Sequence, residues 1–247
     1  MLSHLLDLLL PVECGGCTAP GAVLCADCAA LLGAPSQVYP ACCPTDPPVY
    51  ALGAYHGRLR AAILAYKERG RRDLATPLGS ALAAAFLHPQ LPLLFPTWGH
   101  IGVKPATTSP MCLHVGSEVK EVWMVPVPSR RAAARGRGGQ HMELLARRAA
   151  AALAEAGVAA AVAPALRMGA GVRDSVGLTA AARRANVAGR VLARRAGLPP
   201  AGTPVVLVDD VVTTGATAAA CATALVQTGV AVCAIVVVAA AGCYSLS

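Results

Sequence analysis

Residues 230–241 read VAVCAIVVVAAA, and residues 205–210 read VVLVDD. Neither stretch alternates apolar with polar side chains. A strand that stays apolar at successive positions must be covered on both faces, as strands of a parallel sheet are. Between the two, Ala216 to Gly229 reads as a helix closed by a glycine. The same alternation runs upstream: EVWMVPVP reads as a strand, Gln140 to Gly157 as a helix, and AAAVAPALRM as a further strand. Strands alternating with helices of this length predict βαβ units, hence an α/β chain with a parallel sheet flanked by helices. The stretch from about Tyr50 to Ala85 reads as helical. In it GRLRAAILAYKERG sets Leu59, Ile63 and Tyr66 on one face, with Gly70 as the stop. Leu87 to about Ser117 is rich in proline and glycine, lacks a clean period, and is read as an irregular insert. The expected division is a small N-terminal module over residues 1–49 and one α/β domain over residues 50–247.

Apolar residues make up 55% of the 247, and mean hydropathy is +0.55, much of it from alanine. The C-terminal apolar run from Val230 to Gly242 is shorter than the roughly 20 residues that a membrane helix needs. The opening MLSHLLDLLLPVEC lacks a basic leading region, carries Asp7 within its apolar run, and ends in Pro11 and cysteines. It reads as a short amphipathic helix rather than a signal peptide, so the expectation is no membrane span and a cytoplasmic location. The formal charge is +8, and only Lys67, Lys104 and Lys120 are lysines. Arg130, Arg131, Arg135 and Arg137 form one cluster; Arg167, Arg173, Arg183, Arg184, Arg190, Arg194 and Arg195 form another. Such clusters suit phosphates or nucleic acid, and the plainer alternative is a solvated face.

Cys14 and Cys17 form CGGC, and Cys25 and Cys28 form CADC. Two CxxC knuckles joined by a short loop can place four thiolates in a tetrahedron, which a structural zinc site requires. Disulfides or a redox pair are the competing readings; a reducing compartment argues against the first, and a redox CxxC usually stands alone after a strand. Cys42 and Cys43 are adjacent, a spacing poorly suited to chelating one ion.

The stretch 205–217, VVLVDDVVTTGAT, carries the clearest chemistry. Strands of an open α/β sheet deliver their carboxyl ends to the crevice where ligands bind. Asp209 and Asp210 stand there, and Thr213, Thr214, Gly215, Ala216 and Thr217 lead into the next helix. Carboxylates accept from hydroxyls, while a glycine turn and the amides of a helix start receive a phosphate. A ribose 5-phosphate offers both groups. GxxxxGK[ST] and a post-strand GxGxxG are absent, which disfavours P-loop and dinucleotide sites. The plain alternative is a polar turn in which the aspartates cap the helix.

This stretch resembles the phosphoribosyl pyrophosphate (PRPP) motif of type I phosphoribosyltransferases. Together with the two CxxC knuckles, ILAYKERGRRDLATPLG, VPVPSRRAAARGRGG followed by ELLARR, and VGLTAAARRANVAG, the chain resembles the ComF (competence protein F-like) family over most of its length, the 87–117 insert excepted. The resemblance implies a type I phosphoribosyltransferase-like sheet with an N-terminal zinc-ribbon module. It implies that Asp209 and Asp210 hold the ribose hydroxyls and that Thr213 to Thr217 cradle the 5-phosphate. Pro128 to Arg131 would form the pyrophosphate loop, with Arg130 and Arg131 as contacts, and Mg2+ would bridge pyrophosphate and ribose. Arg173 to Asn186, including Arg183 and Arg184, would match a loop that closes over the site, and Lys67 matches a lysine of the family's first helix. The implied activity is transfer of phosphoribose from PRPP to an acceptor that the sequence does not name, with release of pyrophosphate. The alternative is a non-catalytic module that handles single-stranded DNA in uptake or in repair and recombination, beside competence or helicase proteins. The chain departs from the family around the site: Gly139, Gln140 and His141 stand where the family has an aromatic, Asn and Gln, and Ser175 and Ala182 replace a Gln and a Glu.

Overall fold

The computed structural model describes residues 12–43, 46–91, 121–129, 140–169, 190–200 and 203–242. The N-terminal helix expected over MLSHLLDLLL, nearly all of the 87–117 insert, Cys112 and Cys243 lie outside them.

The described residues form an α/β fold around a mixed, mostly parallel sheet. In chain order the strands are β1 (Ser36–Val38), β2 (Val49–Ala51), β3 (Glu121–Pro126), β4 (Ala159–Val162), β5 (Leu166–Met168), β6 (Val191–Ala193), β7 (Pro204–Val212) and β8 (Ala231–Ala240). The helices are α1 (Ala26–Ala29), α2 (Gly57–Glu68), α3 (Ala75–Phe86), α4 (His141–Glu155) and α5 (Ala216–Val226). Six strands lie in the order β1-β2-β8-β7-β3-β4, and β5 and β6 form a separate antiparallel pair. From β2 to β4 every pairing is parallel; only the edge strand β1 runs antiparallel to its neighbour.

The unbroken apolar character of β7 and β8 follows from cover on both sides. Val205 and Leu207 belong to one core with Val125, Val237, Cys221 and Leu225, beneath α5. Val206 and Val208 belong to the other, with Ile63, Tyr66, Leu78, Phe86 and Leu145 from α2, α3 and α4. Successive side chains of a strand point to opposite faces, so one apolar run fills both cores. Leu59, Ile63 and Tyr66 share the buried face of α2, as their spacing predicts. The helix ends at Glu68, ahead of Gly70.

Four expectations need revision. AAAVAPALRM is not one strand: it breaks around Pro164, which has no N–H for a ladder. β4 joins the main sheet, whereas β5 pairs with β6. The stretch from Tyr50 to Ala85 is not helical throughout, because Val49–Ala51 is a strand paired with β8, and two helices follow it. Strand β7 does not stop at the aspartates; its ladder to β8 continues through Val211↔Ala239 and Val212↔Ala240. Cys233, which two-sided cover of the apolar run 230–241 should place in the core, is only half-buried, while Cys221 is fully buried. β1 and β2 also tie the N-terminal segment into the same sheet as β8. Among the described residues no helix is long and apolar enough to cross a membrane.

Candidate functional site

Because β7 continues through both aspartates, its pleat sends them to opposite faces. Asp210 follows Val206 and Val208 toward α2 and α4. Asp209 follows Leu207 toward α5. The pair that the sequence presents as neighbours is therefore split by the sheet.

Asp210 is 3% exposed. A carboxylate in such a place needs partners, and among the described residues Lys67 and His141 serve. Lys67 Nζ, from the last turn of α2, donates to Asp210 Oδ1 at 3.0 Å and lies 2.8 Å from Oδ2. His141 Nε2, from the first residue of α4, lies 2.8 Å from Oδ2. Burial alone would raise the Asp210 carboxyl, but Lys67 and His141 overcome it and hold the group well below the usual carboxylate range. Burial works against the charge of Lys67 as well, yet Asp210, and then Asp209, keep its ammonium protonated to higher pH than usual.

Asp209 behaves in the opposite way. It is half-buried; burial first, and the neighbouring Asp210 charge second, push its carboxyl up to about 7. Its Oδ1 accepts from the Asp210 backbone N–H at 2.9 Å. Two adjacent acids thus differ in role: one is locked as an anion, and the other titrates near neutrality.

His141 extends the network outward. Its Nδ1 lies 3.1 Å from Ser129 Oγ, in the segment that follows β3. The Ser129 N–H donates to Gln140 Oε1 at 3.3 Å, and the Tyr66 hydroxyl donates to the His141 carbonyl. The Tyr66 and His141 rings meet edge to face at 5.8 Å. Beside them Lys67, Arg72, Gln140 and His141 line a shallow hollow. His141 was not among the residues singled out from the sequence for chemistry, and Ser129 entered only as a member of the span Pro128 to Arg131, with no contact assigned to it. The available signal was the departure at His141, a histidine where the resembled family has glutamine.

The turn after β7 has the geometry expected of the TTGAT segment. Gly215 caps α5 in the left-handed region, φ +77°, which favours glycine. The Ala219 N–H donates to the Gly215 carbonyl at 2.9 Å, the first bond of the helix, so the earliest amides have no partner within it. Thr213 is exposed, and Thr214 and Thr217 are partly exposed. One side of the turn is covered by the N-terminal segment. The Cys42 N–H donates to the Thr214 carbonyl at 2.8 Å, and the Cys43 thiol to the Gly215 carbonyl at 3.5 Å. A Cβ on Gly215 would lie 2.9 Å from Pro40 Cβ. The close approach that this glycine allows is therefore made by the protein's own chain. Burial pushes the Cys43 thiol up to about 11, so it stays protonated as a donor.

The four N-terminal cysteines come together as their spacing predicts. The sulfurs of Cys14, Cys17, Cys25 and Cys28 all lie within 4.8 Å of one another, and the group could hold a metal ion. The thiols are free. Cys14 Sγ lies 3.6 Å from Cys25 Sγ, and Cys17 Sγ lies 3.5 Å from Cys25 Sγ, far beyond the roughly 2.05 Å of a disulfide. A tetrahedron of thiolates about 2.3 Å from a central ion has edges of about 3.8 Å, so the donor set fits. Burial would raise the Cys14 thiol, but N–H groups pointing at its sulfur outweigh that and bring it down to about 6. Two of them, from Gly16 and Cys25, lie at 3.4 and 3.3 Å. The knuckle is also tied to the body, for Arg71 Nη2 donates to the Glu13 carbonyl at 2.8 Å, just beyond the helix that carries Lys67.

Of the other residues expected at the site, Arg130, Arg131, Arg173, Arg183, Arg184 and Asn186 lie outside the described residues. No protein-family model matches this chain, and no curated protein matches it.

Proposed function

We propose that the chain is a ComF-like protein of the type I phosphoribosyltransferase fold that binds PRPP with Mg2+ at the carboxyl end of β7, and that the four-cysteine group holds a structural zinc. The observation that carries the PRPP reading is the strand–turn–helix unit itself. A central parallel strand carries the acid pair near its carboxyl end and passes through a left-handed glycine into a helix whose first amides have no partner within the helix. Thr213 to Thr217 take the 5-phosphate through those amides and hydroxyls. Asp209, the acid with a partly exposed side chain, takes the ribose hydroxyls and would be a ligand to Mg2+ when it binds. Asp210 contributes as a fixed charge within the Lys67–His141 network. Departure of pyrophosphate from C1 of the ribose builds positive charge on the sugar; Asp209 in its ionised form stabilises that charge, and Mg2+ when bound would supply charge stabilisation to the leaving group. Zinc suits the cysteine group because four thiolates with no open position make a structural site.

Titration calorimetry with PRPP and Mg2+ tests the reading. Binding is expected for the wild type and its loss for Asp209→Asn; binding that is unchanged in Asp209→Asn would overturn it. Release of pyrophosphate on mixing PRPP with candidate nitrogen and oxygen nucleophiles then identifies the acceptor.

A further inference from the structure

The network around His141 has an orientation that neither the PRPP motif nor the cysteine group requires. Asp210 is held as a carboxylate, which can only accept, so in the neutral ring Nε2 carries the hydrogen and donates to Oδ2 at 2.8 Å. Nδ1 is then left as an acceptor, and the atom that faces it is Ser129 Oγ at 3.1 Å. The Ser129 hydroxyl therefore donates inward, and its oxygen lone pairs turn outward. His141 is 9% exposed, whereas Ser129 is only half-buried. A buried acid thus orients a buried imidazole, which in turn polarises a reachable hydroxyl. Acid, histidine and serine arranged by role rather than by chain order define an activated serine.

We propose that Ser129 is a nucleophile of the acyl-transfer class, with His141 as its general base and Asp210 as the group that orients His141, acting on small activated esters. In the step, Ser129 Oγ bonds to the acyl carbon and its proton passes to His141 Nδ1. The ester C–O bond then breaks, and the leaving alkoxide takes that proton. Water, deprotonated by the same nitrogen, releases the acid and restores the serine. The main chain of Ser129 is fixed by its N–H bond to Gln140, and the ring of His141 by its edge contact with Tyr66. Lys67 shares Oδ2 with His141, which weakens the support that Asp210 gives to an imidazolium. The rate gain from the histidine accordingly belongs near the low end of general-base catalysis, about 100-fold.

The test is labelling of the full chain by a fluorophosphonate. There Ser129 Oγ bonds to phosphorus, fluoride leaves, and the proton remains on His141. Peptide mass mapping of the wild type should place the adduct on Ser129. Ser129→Ala should abolish it, and His141→Gln should slow it about 100-fold while the far-ultraviolet dichroism is unchanged. Absence of an adduct at Ser129, or labelling as fast in a folded His141→Gln as in the wild type, would overturn the proposal. Mapping the wild type decides the matter even if His141→Gln does not fold. No PRPP is present in this assay, so its outcome is separate from that of the PRPP reading.

Discussion

Replacing Lys67 by methionine isolates the energetic centre of the site. The substitution keeps most of the side-chain length and removes the charge facing a carboxylate that is 3% exposed. Breaking a fully buried pair by removing one partner costs about 3–5 kcal/mol. Two features lower the figure here. The Lys67 side chain is 33% exposed, so water screens part of the interaction, and His141 still donates to Oδ2. A loss of about 2 kcal/mol follows, which for a chain of this size lowers Tm by about 4–8 °C. The effect has a pH signature. The Asp210 carboxyl is depressed in the folded state, so its contribution is fully present above the unfolded carboxylate value near 3.9 and is lost as pH falls toward the folded value. The gap in Tm between wild type and Lys67→Met, measured by scanning calorimetry, should be widest at neutral pH and should narrow toward pH 3. Adding Asp210→Asn should recover part of the loss, a coupling of about 1–3 kcal/mol. A Tm equal to wild type at pH 7, or a gap that widens on acidification, would refute the assignment of Lys67 as the partner of Asp210.

Three further outcomes follow from the geometry. Gly215→Ala should lower Tm, because alanine is strained at φ +77° by about 1–2 kcal/mol and its Cβ meets Pro40; a neutral effect would contradict the close packing of the N-terminal segment on this turn. The Asp209 carboxyl, raised to about 7, disfavours its charged form in the folded protein, so its contribution to stability declines as pH rises from about 4 to 7, whereas Mg2+–PRPP affinity should rise across pH 6–8. Asp209→Asn should flatten the stability trend in a denaturation series, and in calorimetry it should remove the binding whose pH dependence the wild type shows. Mass spectrometry under non-denaturing conditions should find one zinc per chain, lost in a Cys14→Ser/Cys17→Ser variant, and a wild type that folds without metal would remove the zinc assignment.

The layered fold was legible because VVLVDD and VAVCAIVVVAAA lack alternation, and only two-sided burial explains that. The end of β7 was not legible, since nothing in Val211 and Val212 distinguishes the last rungs of a ladder from a turn; the partner residues Ala239 and Ala240 decide it. That extension matters, because it turns an apparent side-by-side acid pair into two carboxylates on opposite faces. Strand β2 escaped notice for a simpler reason: three residues are too few to show a period. The cysteine group was readable from spacing alone, as its ligands are local. The Lys67–Asp210–His141–Ser129 network was not. Its members are scattered from residue 67 to residue 210, and nothing within any one segment points to the other three. Only the sheet, by placing the end of α2, the start of α4 and the segment after β3 around one strand, makes them neighbours.

The central claim is that the carboxyl end of β7 and the turn into α5 form a PRPP site. The measurement that tests it most directly is calorimetric titration of the full chain with PRPP in the presence of Mg2+, set beside the same titration of Asp209→Asn. The account predicts saturable binding at one site per chain in the wild type and little or none in the variant. No heat of binding in a folded wild type, or equal affinity in the two proteins, would contradict it.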